Sequence, residues 1–145
     1  MIVRAGRGAD AAALAGVQER SWRRAYAHVF PADELARDGF VDPATWRRRL
    51  EQPPRGWSTF VAERDGDLLG YVVVGPSRDR RTDGEVYALY ADPVVWSTGV
   101  GRALLAYAEG HLAHRYAQAT LWVLEDNRRA RRFYEIAGWT LDTGS

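Results

Sequence analysis

The chain has 145 residues, 46% of them apolar, with 20 basic and 19 acidic side chains and a net charge of +1. That length suits one domain able to fold without a metal or disulfide, and the charge balance argues against a protein that coats nucleic acid or an anionic membrane. There is no cysteine, only three histidines, and every basic residue is arginine; disulfides, thiolate metal sites, Cys nucleophiles, Schiff-base lysines and a phosphate-loop lysine are excluded. The longest nearly apolar run, Leu68 to Gly75, is too short to span a bilayer. The opening MIVRAGRGAD lacks the apolar stretch of a secretory signal. A cytoplasmic, metal-independent domain is expected.

Ile2 to Arg4 reads as a short strand. Asp10 is placed to cap a helix running to about Ala27, with Leu14, Val17, Trp22 and Tyr26 at roughly helical spacing. Pro31 to Asp38 reads as a second short helix, and Asp42-Pro43 as a cap followed by proline at the start of a third, Ala44 to Glu51. Pro53-Pro54 and Gly56 end it. Ser58 to Arg64 and Leu68 to Gly75 flank the turn signal Asp65-Gly66, which predicts a β-hairpin. A charged loop, Pro76 to Gly84, leads to a strand over Glu85 to Ala91, closed by Asp92-Pro93. The small-residue loop Ser97 to Gly101 opens a helix over about Arg102 to Arg115. Ala119 to Leu124 reads as a strand, Asn127 to Ala137 as a helix stopped by Gly138, and Trp139 to Leu141 as the start of a last strand. No repeat or linker divides residues 1–145. The order predicts a mixed α/β (α+β) fold, antiparallel in the middle, with a crossover helix later.

A strand, then Gly99-Val100-Gly101, then a helix N-terminus is a physical arrangement for holding an anion. The first helical N–H groups lack internal partners and the dipole is positive there. By itself the pattern is weak, because helices often start this way for packing alone. It is neither a P-loop, which needs lysine, nor a dinucleotide fingerprint, since Leu104 stands where the third glycine belongs.

The residues around the loop sharpen the reading. Glu85 to Pro93, followed by Trp96-Ser97-Thr98-Gly99-Val100-Gly101-Arg102, resembles the central motif of the GNAT superfamily of N-acetyltransferases. A second motif, Asn127, Ala130, Phe133-Tyr134 and Gly138-Trp139, follows in the family's order. The resemblance implies a single-domain GNAT fold with a mostly antiparallel mixed sheet, a splayed central strand pair and flanking helices. It implies acetyl-CoA as acetyl donor, with the loop amides of Ser97, Thr98, Gly99, Val100, Gly101 and Arg102 around its pyrophosphate and Asn127 on its pantetheine arm. Trp96 stands where the family usually has Gln or Arg, and Ser97 where Gly is common. The chain ends at Ser145, before the family's last β-hairpin is complete.

Acetyl transfer to an amine needs a neutral amine, a polarised carbonyl and a protonated leaving sulfur. An alkyl-ammonium of pKa near 10.4 costs about 4 kcal/mol to neutralise at pH 7.4, so a general base, acting through water, is called for. Glu85, eleven residues before Trp96, resembles the family's base in its histone-acetylating branch. The competing reading is a surface carboxylate paired with Arg80 or Arg81. By motif position, main-chain N–H groups around Leu89, Tyr90 and Ala91 would polarise the carbonyl, as fixed donors do for developing oxyanions. Tyr134 matches the family's general acid; alternatively it is a core aromatic beside Phe133 and Ala137. Asn127 also reads as a helix N-cap.

Trp22 and Tyr26, four apart on one helix face, are core residues or line the acceptor pocket, where Trp46 and Trp57 would complete an aromatic wall. The basic run Arg128 to Arg132 spreads around its helix and reads as a solvated face rather than a nucleic-acid site. The expected function is acetyl transfer from acetyl-CoA to a primary amine, on a small molecule or peptide, in a direct ternary complex. The alternative is a catalytically silent acyl-CoA-binding module. No metal, nucleic acid or membrane is expected as partner, and the resemblance is compatible with a homodimer.

Overall fold

A computed structural model describes residues 1–26, 41–79 and 82–141, the Tyr26 side chain excepted. The expected helix at Pro31 to Asp38 lies outside the described residues, as do Arg80 and Arg81.

Strands β1 (Ile2–Ala5), β2 (Ser58–Arg64), β3 (Asp67–Pro76), β4 (Gly84–Ala91) and β5 (Ala119–Leu121) form one sheet in the order β1-β2-β3-β4-β5. The first three pairings are antiparallel. The β2–β3 turn puts Asp65 at φ 52° and Gly66 at φ 85°. Two consecutive left-handed residues match the right-handed twist of a tight hairpin, which is why Asp-Gly marks it. β4 and β5 are parallel, and parallel neighbours need a crossover, supplied here by helix α3 (Val100–Ala113).

Alternation along the strands sorts the core into two layers. Phe60, Ala62, Val72, Val74 and Val86 face α3, where Val100, Leu104, Leu105, Ala108 and Leu112 are buried. Val61, Tyr71 and Val73 face helices α1 (Ala11–Tyr26) and α2 (Pro43–Glu51), meeting Leu14, Val17 and Trp46. Trp46 is therefore core, edge-on to Tyr71 at 5.0 Å between ring centroids, and forms no acceptor wall. Asp42 caps α2 as expected, accepting from the Thr45 N–H at 2.7 Å. Asp10 does not cap α1 with its side chain. It ends a short 3-10 turn, Gly8–Asp10, and its carboxylate turns back to accept from the Arg7 N–H and from both terminal nitrogens of Arg4.

Two expected strand boundaries differ. β5 stops at Leu121 rather than Leu124, and Trp139 to Leu141 form no strand. A strand exists only where a neighbour supplies its hydrogen bonds, and β4 pairs with β5 only from Gly84 to Val86. Helix α4 (Arg128–Ile136) follows β5, capped by Asn127 Oδ1 accepting from the Ala130 N–H at 3.0 Å.

Candidate functional site

β4 changes character along its length. Gly84, Glu85 and Val86 are buried between β3 and β5, whereas Tyr87 to Ala91 are half-buried and have β3 alone as a strand partner. The change comes at a bulge. Val73 faces Ala88 and Val74 faces Val86, so Tyr87 is the extra residue. Past it, β4 and β5 separate and a gap opens.

Backbone alternation identifies the groups facing that gap. The Asp92 N–H donates to the Leu69 carbonyl at 2.8 Å, so Tyr90, two residues earlier, also directs its N–H to β3. The N–H groups of Leu89 and Ala91 point the opposite way, into the gap. Of the three amides expected to polarise a carbonyl, Tyr90's is therefore excluded, although Tyr90 itself lines the cleft. The Ala91 carbonyl shares the gap side and accepts from Ser21 Oγ and from Trp96 Nε1, both at 2.8 Å. Gly70 lets β3 approach here: a Cβ on it would sit 2.6 Å from the Tyr90 carbonyl oxygen.

After β4, Asp92 caps a 3-10 turn over Pro93–Val95 and receives Arg20 Nη2 at 2.6 Å. The chain then passes Trp96, Ser97 at φ 66° and Gly99 at φ 98°. Gly99 is the N-cap of α3, and no side chain caps that end. The amides of Val100, Gly101 and Arg102 have no partner within the helix. The Val100 side chain is sunk in the core at 1% exposure; it anchors the loop, and only its main chain is available to a ligand. Thr98 likewise spends its hydroxyl on the Val95 carbonyl at 2.5 Å.

β4, this loop and α4 enclose a cleft of about 1160 Å³. Among the described residues Arg24, Arg102, Arg128, Arg129 and Arg132 line it, against one carboxylate, Asp126. Arg129 lies 4.4 Å over the Trp96 ring and donates to Ser97 Oγ at 3.2 Å, tying α4 to the loop. Asn127 and Tyr134 line the same cleft, and Tyr134 also borders a groove along the outer edge of β5. A helix end with no side-chain cap, strand amides with no second pairing strand among the described residues and several guanidinium groups suit a long ligand with an anionic end and an amide-bearing arm.

The sequence of residues 18–139 matches the model of the acetyltransferase (GNAT) family. The chain belongs to the GNAT family. It is 33% identical over 142 residues to the "Uncharacterized N-acetyltransferase YuaI" of Bacillus subtilis, covering 86% of this chain and 79% of that protein. It is 36% identical over 129 residues to the mycothiol acetyltransferase of Thermomonospora curvata, covering 86% of this chain but spanning only 41% of that relative. The PaiA N-acetyltransferase of Thermoplasma acidophilum, solved in complex with coenzyme A, shares the fold with a TM-score of 0.78 at 19% identity, over 97% of this chain and 90% of that one. The protein is thus an acetyl-CoA-dependent acetyltransferase of the GNAT family, and the cleft fits that cofactor: Gly99 to Arg102 and the arginines would hold its phosphates, and the free edge of β4 its arm. Among the described residues no cluster of acidic or histidine side chains could hold a metal, and no helix is long and apolar enough to cross a membrane.

The remaining candidates are not all brought together. Glu85 is fully buried and lines neither the cleft nor the groove. Arg78 covers it, donating from its backbone N–H at 2.9 Å, from Nε at 3.1 Å and from Nη2 at 2.5 Å. The expected alternative named Arg80 or Arg81, which lie outside the described residues; among the described residues the partner is Arg78. Trp22 is half-buried on α1 and lines neither the cleft nor the groove, whereas its helix neighbours Ser21, Arg24 and Ala25 do reach the cleft. The Tyr26 side chain is outside the described residues. Trp57 stacks on Tyr87 at 4.4 Å, away from the cleft. Burial and the nearby Glu85 push the Tyr87 hydroxyl up to about 12, so it stays protonated and donates to the Pro76 carbonyl. Ser21, Arg78 and Arg129 were missed as individual contributors. Arg129 and Arg78 carried a signal only as members of the basic run and of the charged loop before Glu85.

Proposed function

We propose that this chain works as one catalytic domain that transfers acetyl from acetyl-CoA to a primary amine, within a direct ternary complex in the cytoplasm. The observation that carries the reading is the gap beside β4, where the Leu89 and Ala91 N–H groups face the same cleft as Tyr134 and the uncapped end of α3. When bound, acetyl-CoA supplies a thioester-activated acetyl group. One of the Leu89 and Ala91 amides would donate to its acetyl carbonyl oxygen, where negative charge grows as the amine attacks, and the other, about 6.5 Å further along the strand, to a carbonyl of the arm. Tyr134 gives the proton of its hydroxyl to the departing sulfur. Asn127 holds the amide-bearing arm while its Oδ1 caps α4.

Glu85 is the proposed base, acting through water, and it can take a proton only after Arg78 swings away from it. Glu85→Gln should then lower kcat and flatten its rise with pH; a variant that merely loses stability would make the pair a latch for the 77–83 loop. Acceptors carrying a primary amine form the test panel, with a mycothiol-related amine included because of the named relatives. Thermal unfolding with acetyl-CoA, ATP and NAD is the companion measurement. Ligand at a hundred times Kd stabilises by about 2.7 kcal/mol. Stabilisation by acetyl-CoA alone, with thiol release on adding an amine, supports the enzyme; stabilisation without turnover of any amine favours a silent acyl-CoA-binding module.

A further inference from the structure

We propose that Trp96 and Ser21 are positioning residues for acetyl transfer, holding the Ala91 carbonyl so that the amide donors of β4 and the acid on α4 keep a fixed separation. The proposal rests on the reading of this cleft as the acetyl-transfer site.

Three elements converge on one peptide group. From α1, Ser21, at 1% exposure, donates to the Ala91 carbonyl at 2.8 Å. From the loop, the Trp96 indole donates to the same oxygen at 2.8 Å. From β3, Leu69 accepts the N–H of that same peptide, Asp92's, at 2.8 Å. Arg20 adds a fourth tie by binding the Asp92 carboxylate. A strand end beside a gap has no second strand to fix it, and here these contacts replace one.

The arrangement also selects what the gap offers. A carbonyl oxygen has two lone pairs, and both of Ala91's are used. A ligand lying along β4 therefore finds the Leu89 N–H and carbonyl and the Ala91 N–H, but no acceptor at Ala91. Trp96 reaches the acid as well. Its ring carries Arg129, which also grips Ser97, and Arg129 and Tyr134 stand on the same helix. One indole thus joins β4 by its N–H and α4 by its face.

Trp96→Phe separates these contacts, because it keeps a ring under Arg129 and removes the N–H; Ser21→Ala removes the other donor. Three readouts are needed on the full chain: acetyl-CoA Kd by calorimetry, kcat with an active amine, and the infrared stretch of bound 13C-labelled acetyl carbonyl. Each variant should change Kd by less than about threefold, lower kcat about fivefold to tenfold, and move the bound stretch toward that of free thioester. A kcat and stretch equal to wild type in both variants would overturn the proposal. So would a loss confined to Kd, which would make Trp96 a plain ligand contact. If the wild-type enzyme binds acetyl-CoA without lowering the stretch, the parent reading falls with it; if wild type lowers it and the folded variants do likewise, only the positioning role is lost.

Discussion

The two halves of β4 are continuous in sequence and opposite in use. Glu85 and Val86 are flanked by strands on both sides and are almost without solvent contact, at 0% and 3% exposure. Leu89 to Ala91, a few residues on, keep β3 and lose β5. The first half is paired on both sides and contributes stability. The second leaves donors turned toward a cleft, an arrangement that a folded protein tolerates only where something else will meet them. A one-residue bulge at Tyr87 is enough to convert one regime into the other.

That contrast can be broken most strongly from the closed half. Val86→Ala should cost about 1–3 kcal/mol of stability by denaturant unfolding, while acetyl-CoA affinity in the folded fraction stays near wild type. The mirror experiment is Tyr134→Phe, which should lower kcat about tenfold or more, equivalent to about 1.4 kcal/mol, with the unfolding midpoint nearly unchanged. Wild-type turnover there would remove the acid from the scheme. A smaller effect is expected at the mouth. Arg132→Gln should weaken acetyl-CoA about twofold to fivefold at low salt, and the difference should shrink at high salt, because exposed charges are screened. The smallest effect lies far from the gap, at β1. The Arg4 guanidinium holds the Asp10 carboxyl below its ordinary value, burial opposing. A depressed pKa stabilises above the unfolded value of 3.8 and loses that contribution as pH falls through the folded one. Asp10→Asn should therefore flatten the acid limb of the stability curve below about pH 4, leaving turnover at neutral pH intact.

Local chemistry made much of this legible. Asp65-Gly66 announced its hairpin because few residues adopt two left-handed conformations in succession. The small-residue loop announced a helix at about Arg102, and the helix in fact begins two residues earlier, at Val100 behind Gly99; the two motifs placed Asn127, Tyr134 and the loop on one cleft. What stayed hidden depends on distant partners. Ser21 meets Ala91 across 70 positions of sequence, and nothing in an ordinary serine announces that. Trp46 looked available for a ligand until Tyr71 and α1 were seen to cover it. Glu85 looked like an exposed carboxylate beside a charged loop, and only the folded loop shows Arg78 closing over it. The length of β5 was unreadable because a strand ends where its neighbour departs, which is a property of β4.

The donors proposed to face acetyl-CoA belong to the main chain, and this shapes how such a protein can diverge. Nineteen of the twenty side chains leave an amide hydrogen in place; proline alone deletes it. Positions 89 and 91 are thereby shielded from most point mutations in their electrostatic duty, though not in their packing. Drift in the surrounding side chains can alter which amine is welcomed while the carbonyl-binding hardware persists. A lineage built this way can change customers without rebuilding its counter.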